Sequence, residues 1–430
     1  MYILLLLFIF CYAFLAWLRI ELALALLIFA LPAYQIRFQI GLLPSTALEL
    51  MVLVLFTVWF ARAAQKKELP WQNYLFFFKQ KDNKYIKHYP FYVEIILLLI
   101  IAVVSAGFAG FFGASLGILK AYFIEPIMFF IVFINIFKLP INRKYIFWAL
   151  SLSALFVSLV AIYQKITGDF LPSAWINTGR VTGVFAYPNA LGLYLGPITV
   201  LLLGYLLSLR KTLSADKRRG NLALRWWDWI ATLRFVTLVM TIVVSMLSIY
   251  FAKSEGALIG IAVALIAMGI LCNKWTRRTV LSLIVVGMLI MGLNMSLREP
   301  IVRKIALMDL DGQIRRQQWS ETWQMLTSSP KHFIFGAGLG SYQTAIAPFH
   351  KSGIYVRNND PEFDKWVAIS LEYQQKVWQP LEIYLYPHNI FLNFWTELGF
   401  AGVLLFLWII LRFLILDFRL LILDCRYKNI

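Results

Sequence analysis

Residues 388–416 read HNIFLNFWTELGFAGVLLFLWIILRFLIL, and this stretch decides the class of fold. From residue 390 onward it is almost entirely apolar and exceeds the ~20 residues that a helix needs to cross a bilayer. The apolar residues are continuous rather than alternating, which predicts a membrane helix and not a strand of a barrel. A long polar segment precedes the run, so His388 and Asn389 are predicted to lie at the membrane surface.

Ten more apolar segments precede this one, near residues 2–18, 22–34, 45–61, 91–109, 112–137, 145–163, 184–208, 233–251, 255–272 and 279–297. Hydrophobic residues make up 61% of the 430-residue chain and charged residues 14%, whereas soluble domains carry about 25% charged residues. We therefore predict an all-α fold, a polytopic transmembrane helix bundle of about eleven spans, or twelve. The N-terminus lacks a basic region and a clear cleavage site, which predicts a retained first helix rather than a signal peptide.

The spans and their loops predict three parts of the chain. Residues 1–297 would hold transmembrane helices 1–10, and residues 298–387 would form one large extracytoplasmic loop that is partly helical. Residues 388–430 would form the final transmembrane helix and a cytoplasmic tail. A loop as long as 298–387 is usually functional or separately folded.

The net charge of +18 is typical of nucleic-acid-binding proteins, but its placement favours a topological role. Lysine and arginine collect in inter-helix loops that alternation of the spans puts on one face, namely 61–90, 138–144, 209–234 and 273–278. By the positive-inside rule that face is cytoplasmic. We therefore predict no nucleic-acid partner, and we expect the lipid bilayer to surround the chain.

Three clusters of polar residues are predicted on the opposite face. They are Arg180 with Asn189, Arg315 with Arg316, and His388 with Asn389. Guanidinium groups bind phosphate oxygens in bidentate fashion and keep their charge near a membrane. A histidine near a helix N-terminus tends to stay neutral and able to accept a proton. The clusters together predict an anionic substrate and a reaction that needs a base.

Each of these residues also has a purely structural interpretation. Arg180 could anchor a helix at the lipid headgroups, and Arg315 and Arg316 could form the solvated face of an amphipathic helix. His388 could lie at the interface without reacting, and Asn389 could cap the final helix rather than contact substrate. The sequence alone leaves these alternatives open.

The clusters and the glycine residues near them resemble the O-antigen ligase and O-antigen polymerase superfamily of bacterial membrane glycosyltransferases. His388 followed by Gly399 is similar to the ligase signature, and Arg315 followed by Trp319 is similar to the arginine motif. Residues 180–189 resemble the other arginine segment, and residues 336–340 (GAGLG) resemble the glycine turn. The resemblance covers most of the chain from about residue 180 to 411. Glu255 departs from it, since the family usually has arginine there, and the family often has further spans after the histidine helix.

The resemblance implies an O-antigen ligase-like glycosyltransferase in the bacterial inner (plasma) membrane, with its active site on the periplasmic face. Its donor would be a glycan linked to undecaprenyl diphosphate, and its acceptor a hydroxyl of lipid A–core or a similar molecule. His388 would be the general base, and Arg180, Arg315 and Arg316 would bind the diphosphate. Asn389, Asn189 and Gly399 would support the site. No cofactor and no metal are expected, and the anomeric centre would be inverted.

Two groups of alternatives remain at the level of sequence. A polymerase or a protein O-oligosaccharyltransferase would use the same chemistry with another glycan, lipid or protein acceptor. A flippase or transporter of lipid-linked glycans would be no enzyme at all, and it would favour internal repeats and polar groups in mid-membrane. No convincing repeat is evident, and the distinctive residues gather on one predicted face, which favours the enzyme.

Overall fold

The computed structural model describes residues 2–40, 43–65, 91–110, 113–137, 143–218, 225–272, 274–357 and 360–427. These residues are mostly helical, which confirms the predicted helical class. A helix lies on each of the eleven predicted apolar segments. Within the described ranges, five helices are long and apolar enough to cross a membrane, namely Ala47–Gln65, Gly113–Ile136, Lys144–Thr167, Pro188–Leu209 and Ile390–Ile415. The number of spans stays a prediction, as does the side of the basic loops, parts of which (66–90, 138–142, 219–224 and 273) lie outside the described residues.

The helices follow one another in this order: α1 (Tyr2–Leu18), α2 (Ile20–Phe29), α3 (Ala47–Gln65), α4 (Tyr92–Phe108), α5 (Gly113–Leu119), α6 (Glu125–Ile136), α7 (Arg143–Thr167), α8 (Ser173–Ile176), α9 (Pro188–Arg218), α10 (Arg225–Phe251), α11 (Glu255–Cys272), α12 (Lys274–Leu293), α13 (Met295–Ile305), α14 (Leu310–Thr327), α15 (Pro330–Phe335), α16 (Tyr342–Ile346), α17 (Phe363–Ile369), α18 (Leu371–Val377) and α19 (Ile390–Tyr427). A π-helical turn at Lys120–Ile124 joins α5 to α6, and short 3₁₀ turns lie at Leu31–Gln35 and Ala347–Phe349.

Within the described part of the chain, two short antiparallel sheets accompany the helices. Strand β1 (Arg37–Ile40) pairs with β2 (Leu43–Thr46), and β3 (Gly353–Tyr355) pairs with β4 (Trp378–Pro380). The chain divides into two compact units. The first comprises Met1–Phe77 and Met128–Gly287, and the second comprises Phe78–Ile127 and Met288–Ile430. This division groups helices by packing, and the predicted boundaries at residues 297 and 387 stay a prediction.

In the first unit, α3 begins with a reciprocal cap. The amide of Glu49 donates to Thr46 Oγ1 at 3.2 Å, and the amide of Thr46 donates to Glu49 Oε2 at 3.2 Å. Ser45 Oγ donates to the same carboxylate oxygen at 2.8 Å. This capping box satisfies amide groups that the first turn of a helix leaves without partners. It also explains how the buried Glu49 is accommodated at the end of an apolar segment.

Small and hydroxylated residues line the contact between α7 and α10. Ser158 Oγ donates to Ser245 Oγ at 3.2 Å, and Ser248 Oγ donates to the carbonyl of Ser158 at 3.2 Å. Ser151 Oγ donates to Thr241 Oγ1 at 3.3 Å in the same interface. Apolar surface provides little drive for association between helices surrounded by lipid, so close packing and hydrogen bonds of this kind hold them together.

In the second unit, α19 is interrupted at Gly399, and the glycine turn of residues 336–340 packs against this interruption. Gly399 has φ 74° and ψ −176°, so the carbonyl of Thr396 is released from the regular helical pattern. The amides of Ala337 and Gly338 donate to that carbonyl at 2.7 and 3.2 Å. The amide of Gly340 donates to Glu397 Oε2 at 2.8 Å. The two glycine motifs of the sequence are therefore one packing contact.

A buried acid joins α4 to α19 within the same unit. Glu94 is 2% exposed and forms an ion pair with Arg412. Trp408 Nε1 donates to the same carboxylate oxygen of Glu94 at 3.0 Å, and the Arg412 guanidinium lies over the Phe91 ring. A charge within an apolar helix is unfavourable unless it is paired, so this contact is a condition for α4 to lie beside α19.

Candidate active site

His388 lies directly before the cap of α19, and its backbone has φ 50°. This left-handed conformation is uncommon in residues other than glycine and persists only where the surroundings enforce it. Trp319 of α14 provides such a restraint, since its Nε1 donates to the carbonyl of Pro387 at 2.9 Å. Helix α14, which carries Arg315 and Arg316, therefore holds the peptide that precedes His388.

Two tyrosines surround the imidazole of His388. The ring of Tyr384 meets it edge to face with centroids 5.0 Å apart, and the ring of Tyr386 lies 4.7 Å away at 43°. Partial burial lowers the pKa of His388 below its usual value, and the positive charge of Arg315 lowers this pKa further. A hydrogen bond to the backbone of Tyr386 acts in the opposite direction. The result favours a neutral imidazole, the form that accepts a proton.

Asn389 is the N-cap of α19. Its Oδ1 accepts from the amides of Phe391 and Leu392 at 3.0 and 3.2 Å. The structure thus gives Asn389 the capping function that the sequence left as one of two alternatives. It keeps His388 at the positive end of the α19 dipole, where a neutral imidazole is favoured over a charged one.

Arg315 and Arg316 lie in the second turn of α14 with exposed side chains. Among the residues that the structure describes, neither guanidinium has a hydrogen-bond or ion-pair partner. Arg315 is near enough to His388 to lower the pKa of that histidine. Since Trp319 is four residues after Arg315, the two side chains share a helix face, and this face is turned toward His388. A cation without an acid partner beside a histidine, with a second such cation next to it in the sequence, suits an anionic ligand.

Arg180, in the first unit, is held by backbone carbonyls beyond the end of α10. Its Nε donates to Ala252 O at 2.9 Å, and its Nη2 donates to Asn189 Oδ1 at 3.1 Å and to Lys253 O at 3.4 Å. The guanidinium also lies over the ring of Trp175, 5.3 Å from its centroid. A cation at a helix C-terminus is favourable, so Arg180 stabilises this turn whatever else it binds.

The segment that carries Arg180 is positioned by Gln164 of α7, which is 1% exposed. Gln164 Oε1 accepts from the amides of Thr182 and Gly183 at 3.0 and 2.8 Å. Gln164 Nε2 donates to the carbonyl of Gly183 at 2.8 Å. Nothing in the sequence signals this contact, because a glutamine within an apolar segment has no characteristic spacing to its partner.

A contact between the buried Glu321 of α14 and His350 is a second feature that the sequence did not reveal. His350 Nδ1 lies 3.2 Å from Oε2 of Glu321, which is 2% exposed. Gln317 Nε2 and the amide of Lys351 donate to the other oxygen of Glu321 at 2.8 and 3.1 Å. No motif of the sequence includes His350, whereas in the structure it links α14 to the segment around residues 350 and 351.

The structure thus brings some of the predicted site residues together within each unit. In the second unit, His388 lies within the electrostatic reach of Arg315, and Asn389 and Gly399 shape the helix that begins beside it. In the first unit, Asn189 binds Arg180. The prediction that Arg180 and Arg315 bind the same diphosphate is not tested by these contacts and stays a prediction.

One comparison with known proteins gives a match. Residues 240–407 match the model of a family described as O-antigen ligase. No curated protein and no solved structure matches the chain. The match confirms the predicted resemblance to the O-antigen ligase and polymerase superfamily over the segment that includes Arg315, His388 and Gly399. Arg180 and Asn189 precede the matched residues.

Proposed function

Because residues 240–407 resemble O-antigen ligases and the chain carries several membrane helices, we propose that the protein is an O-antigen ligase-like glycosyltransferase of the bacterial inner membrane. It would move a glycan from undecaprenyl diphosphate to an acceptor hydroxyl of lipid A–core or a similar molecule at the periplasmic face. The observation that carries the proposal is the partly buried His388, which lies beside the unpaired cation of Arg315 within the described residues.

His388 would act as the general base. The neutral imidazole takes the proton from the acceptor hydroxyl as the oxygen attacks the anomeric carbon of the donor sugar. The bond from that carbon to the diphosphate oxygen breaks in the same step, so a single displacement inverts the anomeric centre. General-base assistance of this kind typically contributes ~10²–10⁴-fold in rate.

Arg315 and Arg316 would bind the diphosphate and stabilise the negative charge that develops on the leaving group. The exposed guanidinium groups favour this role, since no acid competes for them among the described residues. The sequence also predicts that Arg180 binds the diphosphate. Its Nε and Nη2 are already bound to Ala252, Asn189 and Lys253, so Nη1 is the group with which it would meet the phosphate.

The experiment that tests this function uses the purified full chain with a lipid-linked glycan and a candidate acceptor. We expect transfer of the glycan with release of undecaprenyl diphosphate, and we expect His388→Ala to reduce the rate by ~10²–10⁴-fold while the protein stays folded. Near-normal transfer by His388→Ala would remove the assignment of the base. Movement of intact lipid between leaflets without transfer would indicate a flippase instead.

The same assay tests the acceptor and the need for a metal. Lipid A–core as the productive acceptor supports a ligase, a second lipid-linked glycan indicates a polymerase, and a protein hydroxyl indicates a protein O-oligosaccharyltransferase. We expect transfer to continue in a chelator, because the arginines supply the positive charge. Loss of transfer that a divalent ion restores would contradict metal independence.

A further inference from the structure

The indole of Trp378 packs against neighbouring residues and is also partly exposed to solvent. Strands β3 and β4 place Tyr355 opposite Trp378, and the two rings meet at 62° with centroids 5.0 Å apart. The indole also lies against Gly353, where an added Cβ would be 2.2 Å from Trp378 Cζ2. Even so, 41% of Trp378 is exposed. The indole is thus held in place by its neighbours and still presents a large part of its surface.

The segment that contains Trp378 is bound to α14 at two points. We call the described residues 353–357 and 360–380, which include β3, α17, α18 and β4, the aromatic lobe. The side chain of Gln313 on α14 accepts from the amide of Arg357 at 2.8 Å and donates to its carbonyl at 3.1 Å. Glu321, two turns further along α14, binds His350 and the amide of Lys351. Two anchors on one helix fix the aromatic lobe relative to α14.

The periodicity of α14 then puts one arginine between the face that holds the aromatic lobe and the face turned toward His388. Residues three or four apart share a helix face, and Arg316 is three residues from both Gln313 and Trp319. Arg315 lies on the face turned toward His388. Tyr355 is two residues from Arg357, so their Cα atoms are at most ~7 Å apart. The aromatic surface therefore lies a short distance beyond the predicted diphosphate-binding arginines.

We propose that Trp378, with Tyr355 beside it, is a sugar-binding subsite that stacks against a pyranose ring of the donor glycan. This inference rests on the proposed function and names the part of the substrate that the aromatic lobe holds. The face of an aromatic ring carries partial negative charge and attracts the weakly positive C–H groups on one face of a pyranose. A side chain already immobilised by Gly353 loses little conformational freedom when it binds.

The surroundings favour a sugar over the bilayer as the partner of Trp378. The aromatic lobe carries exposed ion pairs between Arg357 and Asp364 at 2.6 Å and between Lys365 and Glu362 at 3.4 Å. Charged pairs of this kind are stable in water and unfavourable in the hydrocarbon of a membrane. An aromatic residue among such groups meets polar ligands that also offer one apolar face, as sugars do.

The test compares two probes with the full chain in lipid nanodiscs, namely the lipid-linked glycan and undecaprenyl diphosphate without sugar. We expect Trp378→Ala to weaken binding of the lipid-linked glycan by about 3- to 10-fold. Binding of bare undecaprenyl diphosphate should not change, because no sugar is present to stack. Trp378→Phe should restore most of the lost affinity, since it keeps an aromatic face.

Trp366→Ala is the matched control. Trp366 is 39% exposed on α17 of the same lobe, and its ring lies beneath Lys365 Nζ at 5.5 Å. We expect this variant to bind both probes as the wild type does. Equal losses for Trp366→Ala and Trp378→Ala would overturn the subsite, and so would equal effects of Trp378→Ala on the two probes. Quenching by brominated lipids that is larger in the wild type than in Trp378→Phe would also overturn it, since the indole of Trp378 would then lie in the bilayer.

The wild type separates this inference from the proposed function. If the wild type transfers glycan and Trp378→Ala binds it equally well, only the subsite is wrong. If the wild type neither binds undecaprenyl diphosphate nor transfers glycan, the proposed function itself is wrong.

Discussion

Arg180 and Arg315 carry the same guanidinium group in different surroundings. Arg180 donates to two backbone carbonyls and to Asn189, whereas Arg315 has no partner among the described residues. A guanidinium that is already hydrogen-bonded stabilises its own segment first, and an unpaired one is available to a ligand. At the scale of single residues, Arg315 is therefore more available than Arg180 to bind an anion.

If His388 is the base, as we propose, Arg315 should also set the acid limb of the pH–rate profile. A general base works only when it is neutral, so transfer should fall as the pH drops through the pKa of His388. Burial and the charge of Arg315 lower this pKa, which keeps His388 neutral at a lower pH than an ordinary histidine. Arg315→Gln removes the second cause, and we expect the acid limb to move to higher pH.

The control for this prediction is Arg316→Gln. It removes a neighbouring charge that is not among the causes of the lowered pKa of His388. The acid limb should therefore stay in place. Both profiles are measured as the rate of glycan transfer against pH. An acid limb that stays in place in Arg315→Gln, or moves equally in both variants, would contradict the electrostatic link.

Arg180→Lys keeps the positive charge and loses the planar guanidinium with its several N–H donors. One ammonium cannot replace the bonds of Nε to Ala252 and of Nη2 to Asn189 and Lys253. We expect transfer to fall by more than about tenfold. We also expect a modest drop in thermal stability, because each lost hydrogen bond contributes about 1 kcal/mol.

Asn189→Ala serves as the control for Arg180→Lys, since it removes one acceptor and leaves the arginine in place. Its effect on transfer should be smaller. Unchanged transfer in Arg180→Lys would show that Arg180 is only an anchor at the lipid headgroups. Both variants are compared by transfer rate and by melting temperature in detergent.

At the scale of secondary structure, α14 and α19 explain how the site is built. One face of α14 holds Arg315 and Trp319 toward His388, and another face holds Gln313 and Glu321 toward the aromatic lobe. The interruption of α19 supplies the carbonyl of Thr396 to the glycine turn of residues 336–340. The two helices thus support the candidate site through contacts with the segments around it.

Gly399→Ala tests the interruption of α19. A Cβ at this position would lie 2.3 Å from Ile334 O and 2.8 Å from Phe335 Cα, and the positive φ disfavours any side chain. We expect destabilisation by about 2–4 kcal/mol, because strain and overpacking act together. The measurement is thermal unfolding of the purified chain, followed by a transfer assay of the folded fraction.

Gly260→Ala is the control for the effect of a methyl group in a helix. Nothing lies within 4 Å of a Cβ at Gly260, which is within α11. This variant should be as stable as the wild type, or more stable by up to about 1 kcal/mol. Equal stability of Gly399→Ala and the wild type would mean that the glycine turn can dock without the interruption.

At the scale of the whole molecule, the chain consists of two units, and predicted site residues occur in both. The first unit contains Arg180 and Asn189, and the second contains Arg315, Arg316 and His388. The proposed chemistry requires both sets on the periplasmic side of the membrane. The side on which each segment lies is therefore the property on which the proposal depends most.

Cysteine labelling tests this orientation. In a chain whose native cysteines are replaced by serine, we expect Ser352→Cys to react with a membrane-impermeant maleimide added to intact spheroplasts. Ser214→Cys lies in the predicted cytoplasmic loop 209–234 and should react only after the membrane is opened. The reverse pattern would place His388 on the cytoplasmic side and end the proposal of periplasmic glycan transfer.

The class of fold could be read from the sequence, because hydrophobicity acts segment by segment and needs no knowledge of distant residues. Each predicted apolar segment is helical, and the histidine, arginine and glycine motifs were visible as spacings along the chain. Only the tertiary structure decided which residues position the candidate site. The bonds from Trp319 to Pro387, from Glu321 to His350 and from Gln313 to Arg357 join residues 68, 29 and 44 positions apart. No local pattern marks such pairs, because folding alone brings their atoms within hydrogen-bonding distance.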